Sequence, residues 1–201
     1  NRELDIGFDA NGNFDEATLT DFVGAGTATI SIWYDQSGNS FNASVAAANQ
    51  PQIYTSGTVS KENGIVALKF DGVNHYLNND SMNTTQPTTV SFVATARGTD
   101  YFYDGDDAVF RNVAYVSAGE YAAYAGSTRF IGVPYVNGQQ TGQFIVYDNL
   151  DGAFFVNNVG QGSGVPMGGR ILNGIDIGQR YTDNSRLLGT FQELIFWSSD
   201  L

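Results

Sequence analysis

Polar and apolar residues alternate with period two through Thr29, Ile30, Ser31, Ile32 and Trp33, all good β formers, so this stretch predicts a half-buried strand. Asp35, Gln36, Ser37, Gly38 and Asn39 then end it in a turn. A second block repeats the plan: Leu68, Lys69 and Phe70 lead into Asp71-Gly72, and an aromatic-apolar return follows through His75, Tyr76 and Leu77. Between Thr89 and Thr95, residues Val90, Phe92 and Ala94 fall on one face and Ser91 and Thr95 on the other, with Val93 blurring the pattern. The runs 144–147 and 153–156 flank Asp148-Asn149-Leu150-Asp151-Gly152, which predicts a hairpin. In all, strands are expected near 29–34, 52–54, 65–70, 88–96, 107–117, 120–125, 143–148, 153–157, 174–178 and 189–197. The Gly-rich stretch from Gly160 to Gly169 reads as a loop.

A single helix is expected near the start, with Asp15 as N-cap, Glu16 in the first turn, Leu19, Phe22 and Val23 on one side and Gly24 as terminator. Phe14 and Leu19 are spaced as a hydrophobic staple. Short strands broken by Gly and Asn predict an all-β, antiparallel β-sandwich with one short N-terminal helix. No repeat of fixed period marks a propeller or solenoid.

At 201 residues the chain fits one domain over 1–201. Its 21 acidic against 9 basic residues give a net charge of -12, which repels phosphate backbones and anionic lipid, so nucleic acid is not expected as a partner. Charged residues are only 15% of the chain, so it is no disordered acidic tail. There is no cysteine, which removes disulfides, thiolate metal sites and a Cys nucleophile. No apolar run approaches the ~20 residues of a membrane span, and membrane insertion is not expected. The chain lacks an initiator Met and stops directly after a predicted strand, so we expect an excerpt whose partners include other domains of the same polypeptide.

Three motifs carry a resemblance: "WYDQSGN" at 33–39, "NQPQI" at 49–53 and "FDG...YL" at 70–77, closed by Gly189-Thr190-Phe191-Gln192-Glu193-Leu194-Ile195-Phe196-Trp197. Together they resemble the laminin-G/concanavalin-A-like lectin and glucanase superfamily, nearly throughout the chain but weakly between about 97 and 170. The resemblance implies a jelly-roll sandwich. It extends distantly to α-L-arabinofuranosidase catalytic sandwiches, where it implies a Glu nucleophile at the start of a strand and an acid in an Asp-Asn-Ser stretch. The comparable strand here begins Thr88-Thr89-Val90 and has no Glu, whereas Asp183-Asn184-Ser185 matches the acid. Retaining hydrolysis needs both carboxyl groups. The E-x-D-x-x-E strand of the glucanases is absent, and of five scattered glutamates Glu120, beside Tyr121, is the one to test as a base or nucleophile. If the chain is a glycosidase, the candidates are therefore Asp183 and Glu120.

Asp35 with Gln36 and Asn39 could contact a cation or a sugar, but acids and amides in tight turns ordinarily bond to nearby backbone amides, and that reading is preferred. Asp71 and His75 receive the same discount, and Trp33 and Trp197 read as packing residues. Asp104, Asp106 and Asp107 form the densest acidic cluster and are the calcium candidates, although the distal Glu of an EF-hand loop is missing. An exposed, solvated loop is the alternative. Tyr101, Tyr103, Tyr121, Tyr124 and Tyr135 lie in the weakly matching middle region and are the candidates for stacking on a sugar. The expectation is a non-catalytic carbohydrate-binding or adhesion module of an extracellular bacterial or phage protein, with a polysaccharide or cell-surface glycan as partner. A ligand-free display domain on a virion or cell surface and a glycoside hydrolase are the alternatives.

Overall fold

The computed structural model describes residues 2–182 and 185–198, apart from the side chains of 130–131 and 161–163. In chain order its elements begin with α1 (Glu16–Val23), β1 (Thr27–Thr29), β2 (Ile32–Trp33), β3 (Ala43–Ser44), β4 (Gln52–Thr55), β5 (Thr58–Val59), β6 (Lys61–Glu62) and β7 (Ile65–Val66). Then come β8 (Leu68–Asp71), β9 (Leu77–Thr84), β10 (Thr88–Ala96), β11 (Tyr101–Asp104), β12 (Val113–Ser117) and β13 (Glu120–Tyr124). The last six are β14 (Thr128–Pro134), β15 (Gln140–Tyr147), β16 (Gly152–Val156), β17 (Val159–Val165), β18 (Leu172–Ile177) and β19 (Leu188–Trp197). One sheet has nine strands in the order β1-β4-β8-β19-β10-β15-β16-β17, with β5 beside β4. The other has eight, β14-β13-β12-β11-β18-β9-β3-β2, and β6 and β7 form a small ribbon. Pairing is antiparallel in every ladder, from β1 with β4 to β10 with β19 and β11 with β18. The chain is thus an all-β, two-sheet antiparallel sandwich with one short N-terminal helix.

The sheets face each other across an aromatic core. Val90, Phe92 and Ala94 of β10 all point inward and are fully buried, as their alternation requires. Phe92 lies 5.2 Å from Phe102, 5.6 Å from Tyr103 and 5.6 Å from Phe191, ring centre to ring centre. It therefore touches both sheets. Tyr103 of β11 and Tyr147 of β15 join hydroxyls at 2.7 Å across the interface, and Tyr147 donates to the Val113 carbonyl, so both phenols are satisfied inside the core. Burial pushes both phenols above their ordinary range.

Several expectations hold closely. Asp15 caps α1 by accepting from the Thr18 amide, and Gly24 closes it by donating to the Thr20 carbonyl. The 144–147 and 153–156 runs pair as β15 and β16, and Asp148 accepts from the Leu150 and Asp151 amides in the turn between them. The turns also behave as read: Asp35 accepts from the Ser37 and Phe41 amides, and Asp71 accepts from those of Val73, Asn74 and His75.

Others are corrected. The 29–34 strand divides, β1 entering the nine-stranded sheet and β2 the eight-stranded one, because the chain crosses between layers there while Ile30 and Trp33 keep contact with the core. The 65–70 strand breaks at Ala67, whose amide turns to the Ser60 carbonyl. Strand 107–117 begins only at Val113; before it, Asp107 accepts from the Phe110 amide and folds the segment back. The Gly160–Gly169 stretch is no loop throughout, since β17 occupies Val159–Val165 as an edge strand and its backbone, not side-chain alternation, makes the ladder. Strands β3, β5, β6, β9, β11 and β14 lie outside the expected ranges. No helix among the described residues is long and apolar enough to cross a membrane.

Candidate functional site

The eight-stranded sheet has one face in the core and one outside, and its outer face gathers the chemistry. A bulge between Tyr101 and Tyr103 turns both Phe102 and Tyr103 inward, leaving Tyr101 and Asp104 on the outside. Asp104 pairs with Asp176 of β18, and Asp176 with Asn78 of β9, so three polar side chains run in register across three strands. Tyr101 and Tyr115 are cross-strand partners with rings 5.1 Å apart and nearly parallel. Tyr124 lies further along on β13, and like Tyr101, Tyr115 and Tyr181 it is half-buried.

Two segments cover part of this face. Residues 105–112 cross β18, with the Asp106 amide donating to the Asn173 carbonyl and the Asn173 amide to the Phe110 carbonyl. Their passage depends on glycine: a Cβ on Gly174, whose φ is +66°, would overlap that of Asp106, and one on Gly105 would lie 2.5 Å from the Phe110 carbonyl oxygen. The second cover is a hairpin whose described arms are 178–182 and 185–187, closed by Leu187 N to Gly178 O at 2.8 Å and by Arg180 N to Ser185 O at 3.0 Å.

Arginines bind the covers to the sheet. Arg111 grips Asp104 with Nε and Nη2, the first bond at 2.8 Å, while its guanidinium lies over the rings of Tyr181 at 4.4 Å and Tyr124 at 5.5 Å. Arg170 also covers Tyr124, Arg180 covers Tyr101 and Tyr181, and Arg186 covers Tyr76. Asp104 is fully buried, and burial pushes its carboxyl up to about 6 against the opposing pull of Arg111. Asp176 is pushed up to about 7, first by burial and then by the nearby charges of Asp106 and Asp104, although Gln179 donates to it at 2.6 Å.

The anticipated residues separate into groups. Tyr101 and Tyr124 stand on this face. Tyr103 and Tyr121 are corrected to core residues, 0% and 1% exposed, because the β11 bulge and the β13 alternation turn them inward. Tyr135 packs edge-on against Tyr121 and donates to the Ala96 carbonyl, away from the cluster. The three aspartates proposed for calcium do not converge: Asp104 is held by Arg111, Asp107 caps its own turn, and Asp106 sits against Gly174. Among the described residues no three His, Asp or Glu side chains are gathered to hold a metal. Glu120 accepts from the Gly132 amide at the far end of β13, four residues and roughly 13 Å along the strand from Tyr124. Asp183 lies outside the described residues.

Sequence reasoning missed Tyr115, Tyr181, Arg111, Arg180 and Asp176. Nothing along the chain groups the arginines: five of the nine basic residues, Arg111, Arg129, Arg170, Arg180 and Arg186, lie after residue 100, an even share, and only strand pairing gathers four of them. A separate groove of about 840 Å³ lies at the N-terminal end between Phe8, Trp33, Tyr34 and Ile65; carboxylates line it but no arginine or lysine does.

No protein-family profile matches the chain, and no curated protein is similar to it in sequence. Solved structures do share its fold. An arabinofuranosidase complexed with arabinofuranosyl-α-1,2-xylobiose is 15% identical, with a TM-score of 0.64 over 94% of this chain and 51% of that one. The chain therefore spans about half the length of that enzyme. A native heptameric pentraxin from Limulus polyphemus is 18% identical, TM-score 0.52, over 66% of this chain and 76% of that one. A Trypanosoma rangeli sialidase in complex with the inhibitor DANA is 14% identical, TM-score 0.56, over 87% of this chain and 30% of that one. These likenesses, with the sheet order above, identify the chain as a sandwich of the concanavalin-A-like lectin/glucanase and laminin-G fold.

Proposed function

We propose that the outer face of the eight-stranded sheet binds carbohydrate, and that the chain is a non-catalytic glycan-recognition module. The observation that carries this is the clustering of half-buried Tyr101, Tyr115, Tyr124 and Tyr181 among fixed guanidinium groups. A pyranose or furanose ring offers apolar C–H faces bordered by hydroxyls, and aromatic rings beside directional donors complement both parts. Phe110, 43% exposed on the covering segment, adds apolar surface at the rim. The sugar complex of a similarly folded arabinofuranosidase supports the ligand class.

One observation favours a hydrolytic reading: Asp104 and Asp176 are neighbours, and Asp176 is held near its protonation midpoint at neutral pH. Hydrolysis needs two carboxyl groups that reach one glycosidic bond. Asp104 is fully buried and held by Arg111, and Asp176 is 3% exposed and held by Gln179, so the pair serves better as a framework that fixes Arg111 and Gln179.

The test is a broad glycan array followed by calorimetric titration. Tyr101→Ala is expected to weaken binding about tenfold, the usual scale for truncating a central aromatic contact. An array with no hit would overturn the proposal in favour of a ligand-free structural domain. Product released from an arabinose-containing polysaccharide would overturn it in favour of an enzyme.

A further inference from the structure

The Gly178–Leu187 hairpin holds an unusual set of unused polar atoms. Nine buried side-chain nitrogen or oxygen atoms in the described residues have no hydrogen-bond partner, and five of them lie here: Gln179 Oε1, Arg180 Nε, Thr182 Oγ1 and Arg186 Nε and Nη1. Native proteins satisfy nearly all buried polar groups, and a charged donor left unpaired is the most costly of them. Three of the five are guanidinium N–H donors. Arg111 differs, since Asp104 already occupies it. Among the described residues neither Arg180 nor Arg186 forms an ion pair.

These guanidinium planes are also fixed in place. Arg180 lies 5.8 Å from the Tyr101 ring centre and 5.6 Å from that of Tyr181, and Arg186 lies 4.7 Å from that of Tyr76. A guanidinium held over an aromatic ring has less freedom to turn its N–H groups, which favours directed bonds to a planar or tetrahedral oxyanion. The chain carries a net charge of -12, Asp104 neutralises Arg111, and Asp176 lies within electrostatic reach of Arg186, so any preference for an anion must come from the directed N–H groups of Arg180 and Arg186 and not from the overall field.

We propose that Arg180 and Arg186 recognise an anionic substituent on the bound sugar, a uronate carboxylate or a sulfate ester, making the face selective for acidic saccharides. This rests on the carbohydrate reading above and specifies its ligand class. The unused Gln179 oxygen and Thr182 hydroxyl are left to accept from neighbouring sugar hydroxyls.

The test is calorimetric titration of the unaltered protein with two matched pairs: trigalacturonic acid against its methyl ester, and a sulfated disaccharide against its desulfated form. At least one acidic member is expected to bind about tenfold or more tighter than its neutral partner, the scale of a charge-assisted bond. Which pair responds identifies carboxylate or sulfate as the anion. The preference is expected to shrink as NaCl rises from about 50 to about 500 mM, as screening shortens the electrostatic reach. Arg186→Gln and the milder Arg180→Lys, checked for folding by circular dichroism, should cost the acidic member of a pair more affinity than its neutral partner and so reduce the acid-to-neutral ratio; an unchanged ratio in both variants overturns the assignment to these two arginines. Equal affinity for acidic and neutral partners, with binding still weakened in Tyr101→Ala, overturns this inference and leaves the glycan reading standing. Absence of binding by every saccharide on the array and in both pairs overturns the two together.

Discussion

Asp176 is where burial and charge conflict most openly. Its carboxyl lies at about 7 in the folded chain against an ordinary 3.8, so between those values the native state holds more protons than the unfolded state. The associated stability is complete below about pH 4 and is lost as pH rises through about 7. Each unit climbed in that window removes about 1.4 kcal/mol while the unfolded carboxyl is ionised and the folded one is not. Asp104, pushed up to about 6, contributes with the same sign over a narrower range. The midpoint of thermal unfolding should therefore fall between pH 5 and pH 8. Asp176→Asn, which keeps an oxygen for the Gln179 amide, should flatten that fall and raise the midpoint at pH 8 while changing little near pH 4. Differential scanning calorimetry at several pH values measures this, and an unchanged slope in the variant would refute it. None of this is legible along the chain, because Asp104 and Asp176 are 72 positions apart and meet only through the pairing of β11 with β18.

At the scale of elements, the segment 105–112 matters more to the site than any strand. Its acidic start invited a cation site and its later residues a strand, yet Asp107 spends its carboxylate on the Phe110 amide and Arg111 is drawn onto Asp104. Local hydrogen bonding competes with strand formation in this way wherever an Asp can bond to backbone two or three residues ahead. Gly174 makes room for the crossing. Gly174→Ala places a side chain both at positive φ and against Asp106, a combination that should cost about 1–3 kcal/mol from the backbone conformation alone. The expected result is a folded protein in which residues 105–112 become cleavable by limited proteolysis and glycan binding falls. A variant as resistant as the parent would count against the role given to this crossing. The β15–β16 hairpin and α1 were legible in advance because their signals are local: Asp148 and Asp15 each bond within three residues.

Across the whole molecule, the two sheets are joined by a core whose centre is Phe92, in ring contact with β11 and β19 at once. Phe92→Ala should lower the unfolding free energy by about 3–5 kcal/mol, the range for emptying a buried aromatic site. Urea unfolding should show the loss as a lower midpoint with an unchanged slope; a drop under about 1 kcal/mol would mean that the layers do not share one core. The sequence by itself determined the class of fold, since period-two alternation in 89–95, Asp-bearing turns and scarce helix signals are properties of neighbouring residues. Tertiary structure alone decided which tyrosines face a ligand. A one-residue bulge in β11 sends Tyr103 into the core while leaving Tyr101 outside, and strand pairing brings Tyr115, Asp176 and the arginine-bearing hairpin to the same surface. Such placements depend on register and sheet order, which arise from contacts distant along the chain and leave no periodic trace within it.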